Sequence, residues 1–234
     1  MSMVKAIEDK WYIQDHNGNI FVLDEATGDH KSIVQFHKGS INDIATSPTQ
    51  NYVVTFGEDG MVKTWDYSRK VVAYQKKFDG SGTCLEHMPN SDANKGRVCA
   101  AGFDNGIVRI LSMTIDGIQL LKSFKAHEGH ITCMKYSADM KMFVTASDKG
   151  DIFFFNIDGI GNLQQYDPLC TYHLADTRVN TAMWNPDDKS IVFSCDNGRL
   201  YRVARPDPAK IDNKESYYWD DAEVKEWVIK IMEF

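Results

Sequence analysis

Short segments in which apolar and polar residues alternate recur along the whole chain, separated by turns that contain glycine. In residues 53–67, the run 53–56 is rich in residue types that suit a pleated, half-buried surface. Asp59-Gly60 is a strong signal for a tight hairpin turn, because both residue types tolerate positive φ. Residues 61–66 then alternate between two faces. The pattern predicts a strand, a turn and a second strand.

This corner is repeated at a nearly constant spacing. It occurs as HNGNIFVLD (16–24), EDGMVKTWD (58–66), DNGIVRILS (104–112), DKGDIFFFN (148–156) and DNGRLYRVA (196–204). Its glycine stands at positions 18, 60, 106, 150 and 198, so the intervals are 42, 46, 44 and 48 residues. Such a period is close to the roughly 40–45 residues of a four-stranded propeller blade.

Further strand-like stretches accompany the corners in phase. One precedes each of the later four corners, as in INDIATS (41–47), and another follows, as in VVAYQKKF (71–78). Each unit therefore contains four predicted strands. The fold class is predicted to be all-β, a single propeller region over 1–234 with about five blades, at approximately 1–36, 37–78, 79–125, 126–174 and 175–234.

The second unit carries the residues of a known repeat. His37, Asp59-Gly60 and Trp65-Asp66 resemble the Gly-His to Trp-Asp signature of the WD-repeat β-propellers. In the other units, the tryptophan position holds Leu23, Leu111, Phe155 and Val203, and the aspartate position holds Asn17, Asn105, Lys149 and Asn197. Only the second unit matches closely, so the resemblance implies the buried His-Asp-Trp hydrogen-bond network in that blade and not in all five.

A narrower resemblance concerns the first three units. WYIQDHNGNIFVLD, FHKGSINDIATSPTQNYVVTFGEDGMVKTWD and AAGFDNGIVRILSM resemble the family of cilia- and flagella-associated protein forty-four, large WD-repeat proteins of motile cilia. This resemblance implies a place in the axoneme, in the tether that connects inner-arm dynein to the doublet, with tether and dynein components as partners. The chain would correspond to a late portion of one propeller region.

The number of blades is lower than the seven or so that the family usually closes with. Three arrangements remain: a compact five-bladed ring, two chains that complete each other, or part of a larger propeller. The narrower resemblance favours the third. The first blade looks abbreviated, with only residues 3–9 left for its opening strand. An unclosed array exposes a strand edge and an apolar face, so we expect the chain alone to self-associate or to be poorly soluble.

Composition and charge restrict the partners. The chain has 234 residues, 43% of them hydrophobic, and a formal net charge of −7. The acidic balance disfavours non-specific nucleic-acid binding, which depends on Lys and Arg, and also direct docking on acidic tubulin. No apolar run is long enough for a transmembrane helix, and the first ten residues lack a signal-peptide core, so an intracellular location is expected. Five widely spaced cysteines are predicted to be buried thiols.

Candidate chemistry is sparse. His127 and His130 flank Glu128 as metal ligands would, but the Gly-His pair of the family favours a structural role. Asp104, Asp148 and Asp196 recur at the corners and are interpreted as caps of their own turns. Phosphate-loop, nucleophile-elbow and zinc-protease motifs are absent from the sequence. Asp43, Glu86 and Lys135 on the channel-facing strands are too few for a site. We expect no enzyme, cofactor, metal or small-molecule substrate.

Two segments interrupt the repeat. NSDANKG (90–96) is predicted to be a solvated loop within the third blade. The segment 205–223 contains Tyr217, Tyr218 and Trp219 among acidic residues; these aromatics either pack on the flank of the last blade or anchor a partner. Residues 226–234 are interpreted as the missing last strand rather than a helix.

The sequence thus predicts a non-catalytic scaffold for protein–protein interactions, with Tyr217, Tyr218 and Trp219 as candidate partner-binding residues. The ciliary dynein tether is the leading setting. The alternative is a substrate-receptor or adaptor module of a ubiquitin-ligase or chromatin complex in the cytoplasm or nucleus. For that role, Asp43, Glu86 and Asp176 could supply negative charge on one surface.

Overall fold

The fold consists of five similar antiparallel sheets. The computed structural model describes residues 2–5, 10–14, 19–25, 27–35, 37–174, 177–211, 217–219 and 222–228. Within these ranges lie twenty β-strands in five four-stranded sheets, here called blades 1 to 5, and the strands of each blade follow one another in chain order. No helix in these ranges is long and apolar enough to cross a membrane.

The strands have the following bounds. Blade 1 contains β1 (Ser2–Lys5), β2 (Lys10–Gln14), β3 (Asn19–Asp24) and β4 (His30–Gln35). Blade 2 contains β5 (Ile41–Thr46), β6 (Tyr52–Gly57), β7 (Met61–Asp66) and β8 (Val71–Lys77). Blade 3 contains β9 (Gly82–His87), β10 (Val98–Phe103), β11 (Ile107–Thr114) and β12 (Gly117–Lys125). Blade 4 contains β13 (Ile131–Tyr136), β14 (Met142–Ser147), β15 (Asp151–Asp158) and β16 (Asn162–His173). Blade 5 contains β17 (Val179–Trp184), β18 (Ser190–Cys195), β19 (Arg199–Ala204) and β20 (Val224–Val228).

Both ends of the chain complete a blade. The opening strand of blade 1 is present as β1, so blade 1 has four strands. The expectation that this blade is abbreviated is therefore not met. At the other end, β20 pairs with β19 and confirms the fourth strand of blade 5. Residues 229–234 of that predicted strand lie outside the described residues.

The repeated corner joins the second and third strands of a blade. In blade 2 the N–H of Gly60 donates to the carbonyl of Gly57 at 3.0 Å, and Gly60 has φ of +70°. Asp59 does not adopt positive φ, so the turn is not of type I′, and the positive-φ residue is the glycine that closes it. Gly106, Gly150 and Gly198 repeat this conformation.

The hydrophobic core lies between the blades. Four clusters of buried side chains fill the four spaces between successive blades. Between blades 4 and 5, for example, Phe154 of β15 and Phe193 of β18 are both fully buried. Each strand alternates side chains between the preceding and the following blade, which is why the sequence pattern has a period of two.

The blades form an open arc. The first strands of successive blades lie side by side, from β1 to β5, β9, β13 and β17. Among the described residues, no comparable contact joins β17 back to β1. The structure is therefore consistent with a partial β-propeller.

The segment 90–96 is a loop whose residues 90, 92, 93 and 95 are exposed, as predicted, but two of its residues are buried against the blades. Asn94 is only 3% exposed, and its Oδ1 accepts the backbone N–H of Gly96 at 2.7 Å. The loop docks on blade 2, where Ser47 Oγ donates to the carbonyl of Gly96 at 3.0 Å. It also reaches blade 4 through Ser91, whose hydroxyl donates to the carbonyl of Gly159. Polar side chains in this loop thus satisfy backbone groups and connect three blades.

All five cysteines are buried free thiols, as predicted. Burial raises the pKa of Cys99 and of Cys133 to about 12. A thiol of such high pKa is protonated at neutral pH and is a poor nucleophile, so these residues act as small core side chains.

Candidate functional site

The predicted motif residues of blade 2 form one buried hydrogen-bond chain. The indole N–H of Trp65 donates to Thr55 Oγ1 at 2.8 Å, and Thr55 Oγ1 lies 2.9 Å from His37 Nε2. His37 Nδ1 lies 2.9 Å from Asp59 Oδ1. An indole can only donate and a carboxylate can only accept, so Thr55 donates to Nε2, and Nδ1–H donates to Asp59. This hydrogen-bond chain ties β6, β7 and the turn between them to the segment that precedes the blade.

The protonation states of His37 and Asp59 follow from their burial and their hydrogen bonds. The His37 side chain is completely buried, and burial lowers its pKa although the bond to Asp59 opposes this. Burial alone would raise the pKa of Asp59, but hydrogen bonds from His37 and from the backbone N–H groups of Lys38 and Met61 lower it overall. A neutral imidazole therefore faces a carboxylate. Asp66, the other predicted motif residue, accepts the backbone N–H groups of Ser68 and Arg69 in the next turn.

Blade 4 retains part of the same arrangement. His127 Nε2 lies 2.7 Å from Thr145 Oγ1, while Phe155 occupies the tryptophan position and supplies no N–H donor. Burial lowers the pKa of His127 to about 4. Sequence reasoning missed both threonines. The signal was available, since each threonine follows its histidine by 18 residues and precedes the aromatic position by 10.

The recurring corner aspartates were expected to cap their own turns, but the structure shows them bonded elsewhere. Asp148 Oδ1 accepts the backbone N–H of His130 at 2.9 Å, and Asp104 Oδ1 accepts that of Ser81 at 3.0 Å. Asp196 Oδ1 accepts the hydroxyl of Thr177. Each therefore fastens the corner to the segment that leads into its own blade.

The candidate metal ligands around His127 do not converge. His127 is buried and bonded to Thr145, whereas Glu128 is 89% exposed and lies 3.9 Å from Lys149. In the ranges that the structure describes, no group of three His, Cys, Asp or Glu side chains could hold a metal ion.

The aromatic segment lies at the outer edge of blade 4, and its Trp219 also packs against the core that blade 4 shares with blade 5. The chain leaves β19, and residues 217–219 add to the outer edge of β16 before the chain returns to β20. The backbone N–H of Thr171 donates to the carbonyl of Tyr217 at 2.5 Å, and that of Trp219 donates to the carbonyl of Thr171 at 2.9 Å. We call residues 217–219 the rim segment. It joins two blades at their outer edge.

The three aromatic residues differ in environment. Trp219 packs against the core between blades 4 and 5, with its ring 6.0 Å from that of Phe154 in an edge-to-face arrangement. Tyr217 and Tyr218 remain 44% and 52% exposed. The sequence analysis treats all three as candidate partner-binding residues. The structure separates an anchoring tryptophan from two accessible tyrosines.

The inner strands bring together the three charged residues that the sequence noted. Lys135 Nζ lies 2.5 Å from Glu86 Oε2, and Asp43 Oδ2 accepts the backbone N–H of Leu85 at 2.6 Å. They line a polar space of about 560 Å³ on the concave side of the arc. Asp176, also considered for this surface, lies outside the described residues.

These contacts link blades 2, 3 and 4. Burial raises the pKa of Asp43 to about 6 although two backbone N–H groups oppose it, and raises that of Glu86 to about 7 although Lys135 opposes it. Burial lowers the pKa of Lys135, but the charge of Glu86 raises it overall. The cluster thus holds blades together and offers no arrangement of acid, base and nucleophile.

The contribution of Asp43 and Glu86 to stability is expected to fall as pH rises from about 4 to about 7, whereas the buried His127, whose pKa is lowered to about 4, contributes in the opposite direction. The folded chain binds protons at Asp43 and Glu86 more tightly than the unfolded chain, so their contribution is complete below the unfolded pKa values and is lost above the folded ones. We expect Glu86→Gln to remove on the order of 2 kcal/mol of this pH dependence. Urea unfolding at pH 5 and pH 8 measures it. Lys135→Met should make the free energy of unfolding depend more steeply on pH. The same pH dependence in the unaltered protein and in both variants would contradict the assignment.

Comparison with known proteins agrees with this geometry. The family model described as WD domain, G-beta repeat matches residues 28–66 and 118–156. These ranges include the complete hydrogen-bond chain of blade 2 and the partial one of blade 4. The chain contains WD40 repeats. The second match extends the resemblance seen in the sequence to a blade with Phe155 in place of tryptophan.

Several curated relatives are similar over most of this chain. Cilia- and flagella-associated protein 44 of Mus musculus is 27% identical over 91% of the chain. The protein of the same name from Chlamydomonas reinhardtii is 25% identical over 63% of it, and periodic tryptophan protein 2 of Saccharomyces cerevisiae is 25% identical over 76%. The aligned region spans only 13%, 9% and 23% of the lengths of these three relatives.

Proposed function

We propose that this chain is a non-catalytic scaffold for protein–protein interactions in the axoneme of cilia and flagella, as part of the tether that holds inner-arm dynein. The observation that carries the proposal is the similarity to cilia- and flagella-associated protein 44 over 91% of the chain. The structure supports a scaffold through its rigid, hydrogen-bonded blades and a concave side whose charged groups are paired with one another or with backbone groups.

The rim segment is the proposed contact for a protein partner. Tyr217 and Tyr218 present large amphipathic rings at the outer edge, and such residues are frequent at the energetic centres of interfaces. Trp219 and the pairing with Thr171 hold this backbone in place before a partner arrives, which lowers the entropy lost on binding. Because the net charge is −7, attachment to acidic tubulin would pass through another protein.

The two kinds of aromatic residue should respond differently to substitution. Trp219→Ala is expected to lower the free energy of unfolding by about 2 kcal/mol, because it opens a space beside Phe154. Tyr217→Ser together with Tyr218→Ser should change it by less than about 1 kcal/mol but reduce capture of partners at least about tenfold. Denaturant titration and quantitative pull-down measure the two effects. Equal capture by the double variant and the unaltered protein would remove the rim segment as the contact.

The proposed setting is tested by purifying the tagged full-length protein from a ciliated cell and comparing the demembranated axoneme with soluble cytoplasm by mass spectrometry. Recovery in the axoneme with inner-arm dynein subunits supports the tether. Recovery in the cytoplasm with ubiquitin-ligase or chromatin subunits favours the adaptor role instead. For the pull-down with the rim-segment variants, Ile115→Ser is a matched control, because Ile115 is an exposed apolar residue far along the chain from the rim segment. This variant should capture partners as well as the unaltered protein does.

A further inference from the structure

A polar pocket lies between blades 2 and 3, beside their shared core. It has a volume of about 200 Å³ and is lined by Tyr52 and Tyr74 of blade 2 and by Arg97 of blade 3, among others. Tyr52 lies on the same side of β6 as Val54, and Arg97 precedes β10 on the same side as Cys99. Because Val54 and Cys99 belong to the core between these blades, the register directs both polar residues into the same space.

The backbone of Arg97 is held from both sides. Its N–H donates to the carbonyl of Asn94 at 2.9 Å, and its carbonyl accepts the N–H of Met113 at 2.8 Å. Asn94 is buried in the loop that docks on blade 2. The start of the arginine side chain is therefore fixed before any ligand arrives, which lowers the entropy lost on binding.

The guanidinium of Arg97 makes no hydrogen bond or ion pair with any residue that the structure describes. Its Nε is buried without an acceptor, whereas Arg199 and Arg205 form ion pairs with Glu226 and Asp139. A buried donor without an acceptor is unfavourable and uncommon in folded proteins. Arg97 as a whole is partly exposed, so its Nη groups can reach a ligand in the pocket.

The other polar groups of the pocket are neutral. The Tyr52 hydroxyl and the Gln50 amide line it and make no side-chain hydrogen bond within the described ranges, so both can donate to a ligand. The hydroxyl of Tyr74 is already engaged, since it donates to the carbonyl of Ile115 at 3.0 Å. Ile115 is 85% exposed, so its side chain forms little of the wall. Among the described lining residues, Arg97 supplies the single formal charge.

We propose that this pocket binds the side chain of a glutamate in an acidic peptide segment of a partner protein. A guanidinium fits a carboxylate through two parallel hydrogen bonds, and one carboxylate balances the one positive charge of Arg97. A phosphate dianion would keep an excess of negative charge there. The rings of Tyr52 and Tyr74 offer apolar faces to the methylene stem of the glutamate.

The size of the pocket also favours a single side chain. Its volume of about 200 Å³ lies below the roughly 300 Å³ at which pockets for drug-sized ligands begin. The inference depends neither on the proposed ciliary role nor on the rim segment, which lies on blade 4.

The probe is an array of short synthetic peptides that have a central glutamate and varied neighbours. Each has matched peptides with glutamine or phosphoserine at the centre, and the complete labelled chain is applied. The chain should be retained on a subset of the glutamate peptides and bind their glutamine partners at least about tenfold more weakly. Arg97→Gln should cause a similar loss, and Tyr52→Phe, which removes only the hydroxyl, a loss of about threefold.

Lys95→Gln is the matched control for charge. Lys95 is exposed in the same loop, so its substitution should leave retention nearly unchanged. Equal losses for Lys95→Gln and Arg97→Gln would indicate general attraction to a positive surface and overturn the proposal. Retention on no peptide, stronger retention on phosphoserine than on glutamate, or Arg97-dependent sedimentation with phosphatidylserine vesicles would each overturn it as well.

Urea unfolding separates binding from a structural role of Arg97. Because no described residue pairs with the guanidinium, Arg97→Gln breaks no ion pair, and the urea midpoint should not fall. A clear fall of the midpoint would show that Arg97 holds blades 2 and 3 together, which would contradict its assignment to a ligand.

Discussion

Replacing Gly106 by alanine is expected to lower the free energy of unfolding by about 4 kcal/mol. Gly106 has φ of +76°, a conformation that opposes any side chain, and an added Cβ would collide with the carbonyl oxygen of His127 and lie 2.9 Å from that of Gly129. Both are backbone atoms and cannot rotate away. Its own carbonyl accepts the N–H of Ala126 at 2.9 Å, so the corner and the next segment cannot separate without losing this bond.

Gly198 provides the matched control. It is the corner glycine of blade 5 and has φ of +74°, but no described atom lies within 4 Å of an added Cβ. Gly198→Ala should therefore show only the conformational penalty, about 1 kcal/mol. Urea unfolding of the two variants beside the unaltered chain measures the difference. Equal losses would mean that the close approach of His127 contributes nothing.

This comparison shows what the sequence could and could not predict about the corner. The repeat of Asp/Asn-Gly revealed the hairpin, the number of strands and the period, because turn chemistry and alternation are local properties. It could not reveal that Gly106 lies under the backbone of residues 127–129. That approach depends on how the last strand of a blade leads into the next blade, which is a tertiary feature.

The same division applies to the polar segments. The sequence placed 90–96 correctly as an insertion, but its Asn94 is buried because the loop is folded onto blade 2 by hydrogen bonds to residues 47 and 49. Trp219 was recognised as unusual, yet its position on blade 4 depends on strand addition to Thr171. Composition reports how polar a segment is, and not which backbone groups it will meet.

Thr55→Val should lower the free energy of unfolding by about 3 kcal/mol, although it keeps the shape of the side chain. The substitution removes the hydroxyl that accepts from Trp65 and donates to His37, and Thr55 is fully buried. Both partners would remain in the core without a bond at this site, and each such group carries a desolvation penalty. His37 would keep the tautomer that its bond to Asp59 fixes, but its Nε2 would lose its hydrogen-bond donor.

Thr145→Val in blade 4 is the control that isolates the tryptophan branch. Thr145 is equally buried and is hydrogen-bonded to His127, but Phe155 replaces the indole. The substitution therefore leaves one buried group without this hydrogen bond instead of two. We expect about 1 kcal/mol of destabilisation. Adding Trp65→Phe to Thr55→Val should then change stability less than Trp65→Phe does alone, because the indole N–H has already lost its acceptor. Additive losses in this double-mutant cycle would show that Thr55 and Trp65 stabilise blade 2 independently.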